Sequence, residues 1–220
     1  EESMRTLEGG EAAFKNRGFM NLKVESKKNL KREALINAAL KLFGEKGIKN
    51  VSILEITNAA NVAKGTFYLY FKNKLELEET AIVKIASQTV ENAVKHVDEK
   101  REKNPVKSLL WVIDEIINKL KNDKELLNII HKNLSWSLYE RILNDTEKYE
   151  HEGKIMIKFI KRFCSSFSYL NYSEDEMKSL LFLILELVNC AVYSSIMFNE
   201  PMPLEKMTDM LHMTIKKLLD

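Results

Sequence analysis

The chain has 220 residues, 45% of them hydrophobic and 30% charged, with 7 Gly, 3 Pro and a formal net charge of +2. That length holds one large or two modest domains with a real core, and the composition fits a soluble, mostly helical protein, not a β-sandwich or a disordered tail. The two cysteines, Cys164 and Cys190, lie inside apolar helical patterns without a CxxC neighbour, so no disulfide scaffold, metal site or cofactor is expected and a reducing cytoplasm is the simpler setting.

Residues 1–19 show no clear periodicity and Met20 is a natural start, so residues 1–26 are expected to be a leader, disordered or partly foreign to the natural chain. The first predicted helix runs from about Leu30 to Lys46, where Leu35, Ala38, Ala39, Leu42 and Phe43 form one apolar stripe. Gly47 is placed to take a left-handed cap, with Ile48 making the hydrophobic contact that accompanies it. Ser52 and Glu55 then read as an S-x-x-E capping box, flanked by Val51 and Ile56 at the staple positions, so a second helix should cover about 53–60. Asn61 tolerates the left-handed conformation of a tight turn. A third helix should start near Ala63 and be buried through Val62, Phe67 and Phe71, until Lys72 and Asn73 break it. Asn73 and Glu76 read as the N-cap pair of a fourth helix over about 74–99.

Further helices are predicted at about 105–121, 123–144, 147–170, 174–198 and 203–219, with no strand-like alternation and no long repeat. The fold class is all-α with about nine helices. An N-terminal three-helix helix-turn-helix unit spans 27–75, and a helical regulatory and dimerisation domain spans 76–220.

Charge is distributed unevenly. Residues 27–74 hold ten Lys/Arg against three Glu, a local net of +7, whereas 76–220 carry a net of −4. A basic module on a mildly acidic body points to a polyanion partner for the module alone. In a helix-turn-helix the second helix offers its N-terminal residues to base edges while flanking groups hold phosphates. Here Lys64 can donate to guanine, Gly65 permits close approach, and Thr66 offers a hydroxyl and a methyl. Tyr68 and Tyr70 are long enough to reach phosphate oxygens, and Lys74 adds a charge. Each residue alone is more often a solvated lysine or a half-buried tyrosine; the ordered set within a basic module raises the joint case.

ALINAALKLFGEKG followed by VSILEITNAANVAKGTFYLYFKNKLEL resembles the DNA-binding domain of the TetR family of bacterial transcriptional regulators. The resemblance implies a dimeric, ligand-responsive regulator, in most cases a repressor of a palindromic double-stranded DNA operator. It implies groove-side roles for Lys64, Gly65, Thr66 and Tyr68, and phosphate-side roles for Tyr70, Lys74 and the Ser52 helix end. Two positions depart from the family pattern: Asn61 stands where a turn glycine is usual, and Ala63 where a capping serine is usual.

The run SLLFLILELVNCAVYSSIMF is apolar nearly all round, as in a helix buried on two sides or a membrane span. Glu186 and Asn189 near its middle argue against a span, since a central acid costs about 2.5–3.5 kcal/mol on insertion. A helix facing its own core and a partner subunit fits better. The last helix, with Leu204, Met207, Leu211, Ile215 and Leu218, would then share a four-helix dimer interface, enriched in methionine by Met202, Met207, Met210 and Met213. Trp111, Trp136, Tyr139, Phe159, Phe163 and Phe167 are candidate walls of an effector pocket, although aromatics at helical spacing are more often plain core. Glu186, Asn189 and Tyr193 share one helix face, as a polar patch in that pocket or a satisfied network at the interface. Enzyme chemistry finds no support, because His96, His131, His151 and His212 are scattered and HExxH, GxSxG, P-loop and GxGxxG motifs are absent. The alternatives are a regulator controlled by a protein partner without a small-molecule pocket, or a helical enzyme with a basic accessory module.

Overall fold

The computed structural model describes residues 29–133, 135–144 and 152–220, so the expected leader lies outside the described residues. All the regular structure among those residues is helical. Helix α1 covers 29–46, and a 3-10 turn, Ile48–Asn50, leads to α2 (Ile53–Ala59), α3 (Lys64–Phe67) and α4 (Lys74–Asp98). The body adds α5 (Pro105–Lys121), α6 (Lys124–Asn133), α7 (Trp136–Asn144), α8 (Lys154–Ser166), α9 (Glu174–Phe198) and α10 (Leu204–Leu219).

The caps read from sequence are present. Glu55 N donates to Ser52 Oγ (3.2 Å) while Ser52 N donates to Glu55 Oε2 (2.9 Å), and both staple residues, Val51 and Ile56, are buried. Glu76 N donates to Asn73 Oδ1 at 3.0 Å. Gly47 takes φ +78° with ψ 147°, a positive φ as expected but with an extended ψ outside the left-handed helical well. Asn61 sits at φ +53° in the interhelical turn.

Three helix predictions need correction. The segment expected as one helix over 123–144 is two, α6 and α7, with Ser135 Oγ accepting from Leu138 N at 3.4 Å at the start of α7. The 147–170 segment starts outside the described residues and resumes as α8, followed by a 3-10 turn, Ser168–Leu170. The third helix is shorter than expected: its α-helical part is Lys64–Phe67, and residues 68–70 continue as turns.

One hydrophobic cluster runs from Leu35 in α1 to Leu219 in α10. The expected boundary at 75/76 therefore falls in the first turn of α4, a 25-residue helix that carries buried residues from Leu77 to Val97. Helix α4 is a continuous connection, about 37 Å long at 1.5 Å per residue. Ion pairs tie the small unit to the body as well: Arg32 of α1 to Glu152 before α8, and Lys84 of α4 to Glu33 of α1. By length and composition α9 alone among the described helices could cross a membrane, but it packs against α5, α6, α8 and α10.

Candidate nucleic-acid interface and interior cavity

Helix α3 is too short to be stable by itself. Phe67, fully buried, and Phe71, 2% exposed, anchor it and its following turn, with ring centroids 5.8 Å apart. That anchoring turns the first turn of α3 outward. Lys64 and Gly65 are exposed and Thr66 is half-buried. A Cβ added at Gly65 would meet nothing within 4 Å, so no internal contact requires glycine there. Ala63 supplies no side-chain cap, as its sequence implied.

In the same unit Lys49, Lys64 and Lys72 are exposed, and no ion pair involves them among the described residues. Lys74 is differently placed: its Nζ donates to Ile48 O at 2.7 Å and pairs with Glu78 at 3.1 Å. Lys74 therefore latches the start of α4 onto the 3-10 turn before α2, with Lys49 and Lys72 close to that latch along the chain. The two tyrosines also differ. Tyr68 is 54% exposed, its ring edge-on to Phe67 at 5.2 Å, whereas Tyr70 is half-buried against the core. The Ser52 hydroxyl is engaged in the capping box, donating to Glu55 Oε2 at 2.9 Å.

Glu55 closes that box and receives Lys46 Nζ at 2.6 Å. Its hydrogen bonds with Lys46, then with Ser52, lower its pKa from 4.5 to about 2. A depressed folded-state value contributes stability that is present above the unfolded pKa and lost as pH falls through the folded one. Glu55→Gln should therefore lower the melting temperature at pH 7, and the gap to the parent should close between about pH 4.5 and pH 2. A gap independent of pH in that window would show that the carboxylate charge contributes nothing.

Inside the body, α4, α5, α6, α7, α8 and α9 surround a cavity of about 80 Å³. Its walls are chiefly aliphatic, with Ile82, Ala86 and Val90 from α4, Ile113 from α5 and Val188 from α9. The expected pocket residues divide. Tyr139 and Asn189 line this cavity. Burial raises the Tyr139 phenol well above its ordinary value, and its hydroxyl donates to Lys178 O at 3.2 Å. Phe159, Phe163 and Phe167 instead face a separate groove of about 130 Å³ with Arg162 and Pro105. Trp111 lies near the surface beneath Lys100 and Lys107, whose Nζ atoms stand 5.1 and 4.9 Å from its ring. Trp136 is 40% exposed, edge-on to Phe182 at 4.9 Å. Tyr193 stacks on His131 at 3.6 Å, and Glu186 is half-buried with Oε1 unpartnered among the described residues. The aliphatic walls are not legible in the sequence, because nothing in their spacing separates a cavity lining from plain core.

The apolar faces of α9 and α10 also resolve. Leu204, Met207, Leu211 and Ile215 of α10 are buried in the protein's own core, so they cannot form the partner face expected of them. The exposed stripes are Leu183, Leu187 and Cys190 on α9, and Met210, Met213 and Leu218 on α10.

Residues 35–80 match the family model of bacterial regulatory proteins of the tetR family. An uncharacterized HTH-type transcriptional regulator of Haemophilus influenzae is 31% identical over 120 residues, 49% of this chain and 64% of that protein. The chain thus matches less than two thirds of the length of such curated relatives. The fold resembles that of the Thermus thermophilus FadR repressor solved with lauroyl-CoA, with a TM-score of 0.56 and 17% identity over 86% of this chain and 95% of that one. It also resembles RolR solved with resorcinol, with a TM-score of 0.60 and 14% identity over 89% and 90% of the two chains.

Proposed function

We propose that this chain, which belongs to the TetR family of bacterial regulatory proteins, acts as a cytoplasmic, homodimeric transcriptional regulator, a repressor that leaves a palindromic operator when a small molecule enters the α4–α9 cavity. The observation that carries the DNA reading is the outward first turn of α3. Lys64 is exposed there without an ion pair among the described residues, beside a glycine that no internal contact requires. Lys64 and Thr66 reach base edges, and Tyr68, Lys49 and Lys72 hold phosphates. Lys74 and Ser52 act mainly by fixing the surface, since their polar atoms already serve the protein's own backbone and cap.

Dimerisation through the exposed stripes of α9 and α10 buries Leu183, Leu187, Met210 and Met213 across a two-fold axis and sets the distance between the two α3 helices. Occupancy of the cavity bears on Ile82–Val90 of α4, the same helix that starts at the Lys74 latch. A ligand that binds better when α4 is shifted favours the dimer geometry that misses successive major grooves. The test is selection of bound duplexes from random DNA. Lys64→Ala and Thr66→Val should each relax base preference at one position per half-site, by about 1–3 kcal/mol of discrimination. Unchanged selectivity in both variants would place base reading elsewhere.

A further inference from the structure

Among the described residues, three polar side chains line the central cavity, and of these Asn189 alone has a free polar atom. Thr89 Oγ1 donates to Ile85 O at 2.8 Å and Tyr139 donates to Lys178 O at 3.2 Å. Asn189 is 6% exposed, and its Oδ1 is buried without a hydrogen-bond partner among the described residues. Among the described residues no charged side chain lines the cavity, so an ionised ligand would lose its hydration there without a counter-charge from them. The volume, about 80 Å³, compares with the roughly 150 Å³ of an apolar cavity that takes up benzene. One small ring or branched alkyl group fills such a space once it opens to about twice its volume, and a long acyl chain needs far more.

We propose that this cavity takes a compact, neutral, largely apolar molecule, about one ring in size, that donates a single hydrogen bond to Asn189 Oδ1. The proposal rests on reading the cavity as the effector site of a DNA-binding regulator. Size and apolar fit give the affinity, and the buried amide oxygen gives the selection, because only a ligand with an O–H or N–H satisfies it.

The test uses the full chain with phenol, toluene, benzoate and dodecanoate, followed by calorimetry and melting temperature. Phenol should bind and raise the melting temperature. Toluene, the same shape without a donor, should bind about tenfold more weakly, and benzoate and dodecanoate should bind worst. In Asn189→Leu the order of phenol and toluene should reverse. Ala86→Leu, which fills the cavity from α4, should abolish both and serves if Asn189→Leu fails to fold. Equal binding of phenol and toluene in the parent, no binding of either, or tighter binding of benzoate or dodecanoate would overturn the proposal. Binding of a duplex recovered from random-DNA selection is measured on the same samples. Intact DNA binding with the wrong ligand order overturns the ligand class alone, whereas no selected duplex overturns the regulator reading itself.

Discussion

Phe67→Ala should cost about 3–5 kcal/mol of stability, the range for truncating a fully buried phenylalanine, and should abolish specific DNA binding. The four α-helical residues of α3 cannot hold their own geometry. Phe67 is fully buried and contacts the ring of Phe71, so its loss removes the wedge that turns Lys64 and Gly65 outward. The two effects should separate by temperature. Below the melting transition of the variant, the body should keep its helical circular dichroism while DNA affinity is already lost, because the contacts removed are those of the α2–α3 unit. A drop of less than about 1 kcal/mol with DNA binding retained would mean that α3 is held by other contacts.

Local signals in the sequence were enough for most elements. Ser52–Glu55, Asn73–Glu76 and Asn61 each specify a backbone conformation through their own side chains, and the structure shows those conformations. What the sequence left open depends on competition between partners far apart in the chain. Lys74 had the position of a phosphate ligand, but Ile48 O, 26 residues away, takes its ammonium. Tyr68 and Tyr70 look equivalent two residues apart, yet the turn after Phe67 exposes the first and half-buries the second. In α10, apolar residues occur on two faces, and periodicity alone could not tell Leu204, Met207, Leu211 and Ile215, which face the core, from Met210 and Met213, which do not. The cavity was illegible for the same reason: Ile82, Ala86 and Val188 follow the pattern of any packed interior.

Arg32→Ala should be the second most damaging change, costing about 3–5 kcal/mol, because it strands a buried carboxylate. The Glu152 side chain is 3% exposed, its Oε1 pairs with Arg32, and its Oε2 has no hydrogen-bond partner among the described residues. The guanidinium also lies 5.4 Å over the Phe71 ring, which is part of the packing that follows α3. Met156, in the first turn of α8 just after Glu152, lines the central cavity. The pair therefore joins the start of the helix that carries Met156 to the packing of Phe71 after α3. Removing both charges should behave differently from removing one. Arg32→Met/Glu152→Met leaves no stranded charge and should return to within about 1 kcal/mol of the parent, since buried ion pairs exchanged for apolar side chains of similar size are often neutral. If the pair also transmits, the double variant should bind DNA yet show a reduced change in DNA affinity when the cavity is filled; by reciprocity, the change in ligand affinity on DNA binding should shrink by the same factor. Melting curves of the two single variants and the double complete the stability cycle, and DNA titrations with and without ligand measure the coupling. Full coupling in the double variant would leave Arg32–Glu152 a structural pair and assign transmission to α4, the other direct path between the same two places.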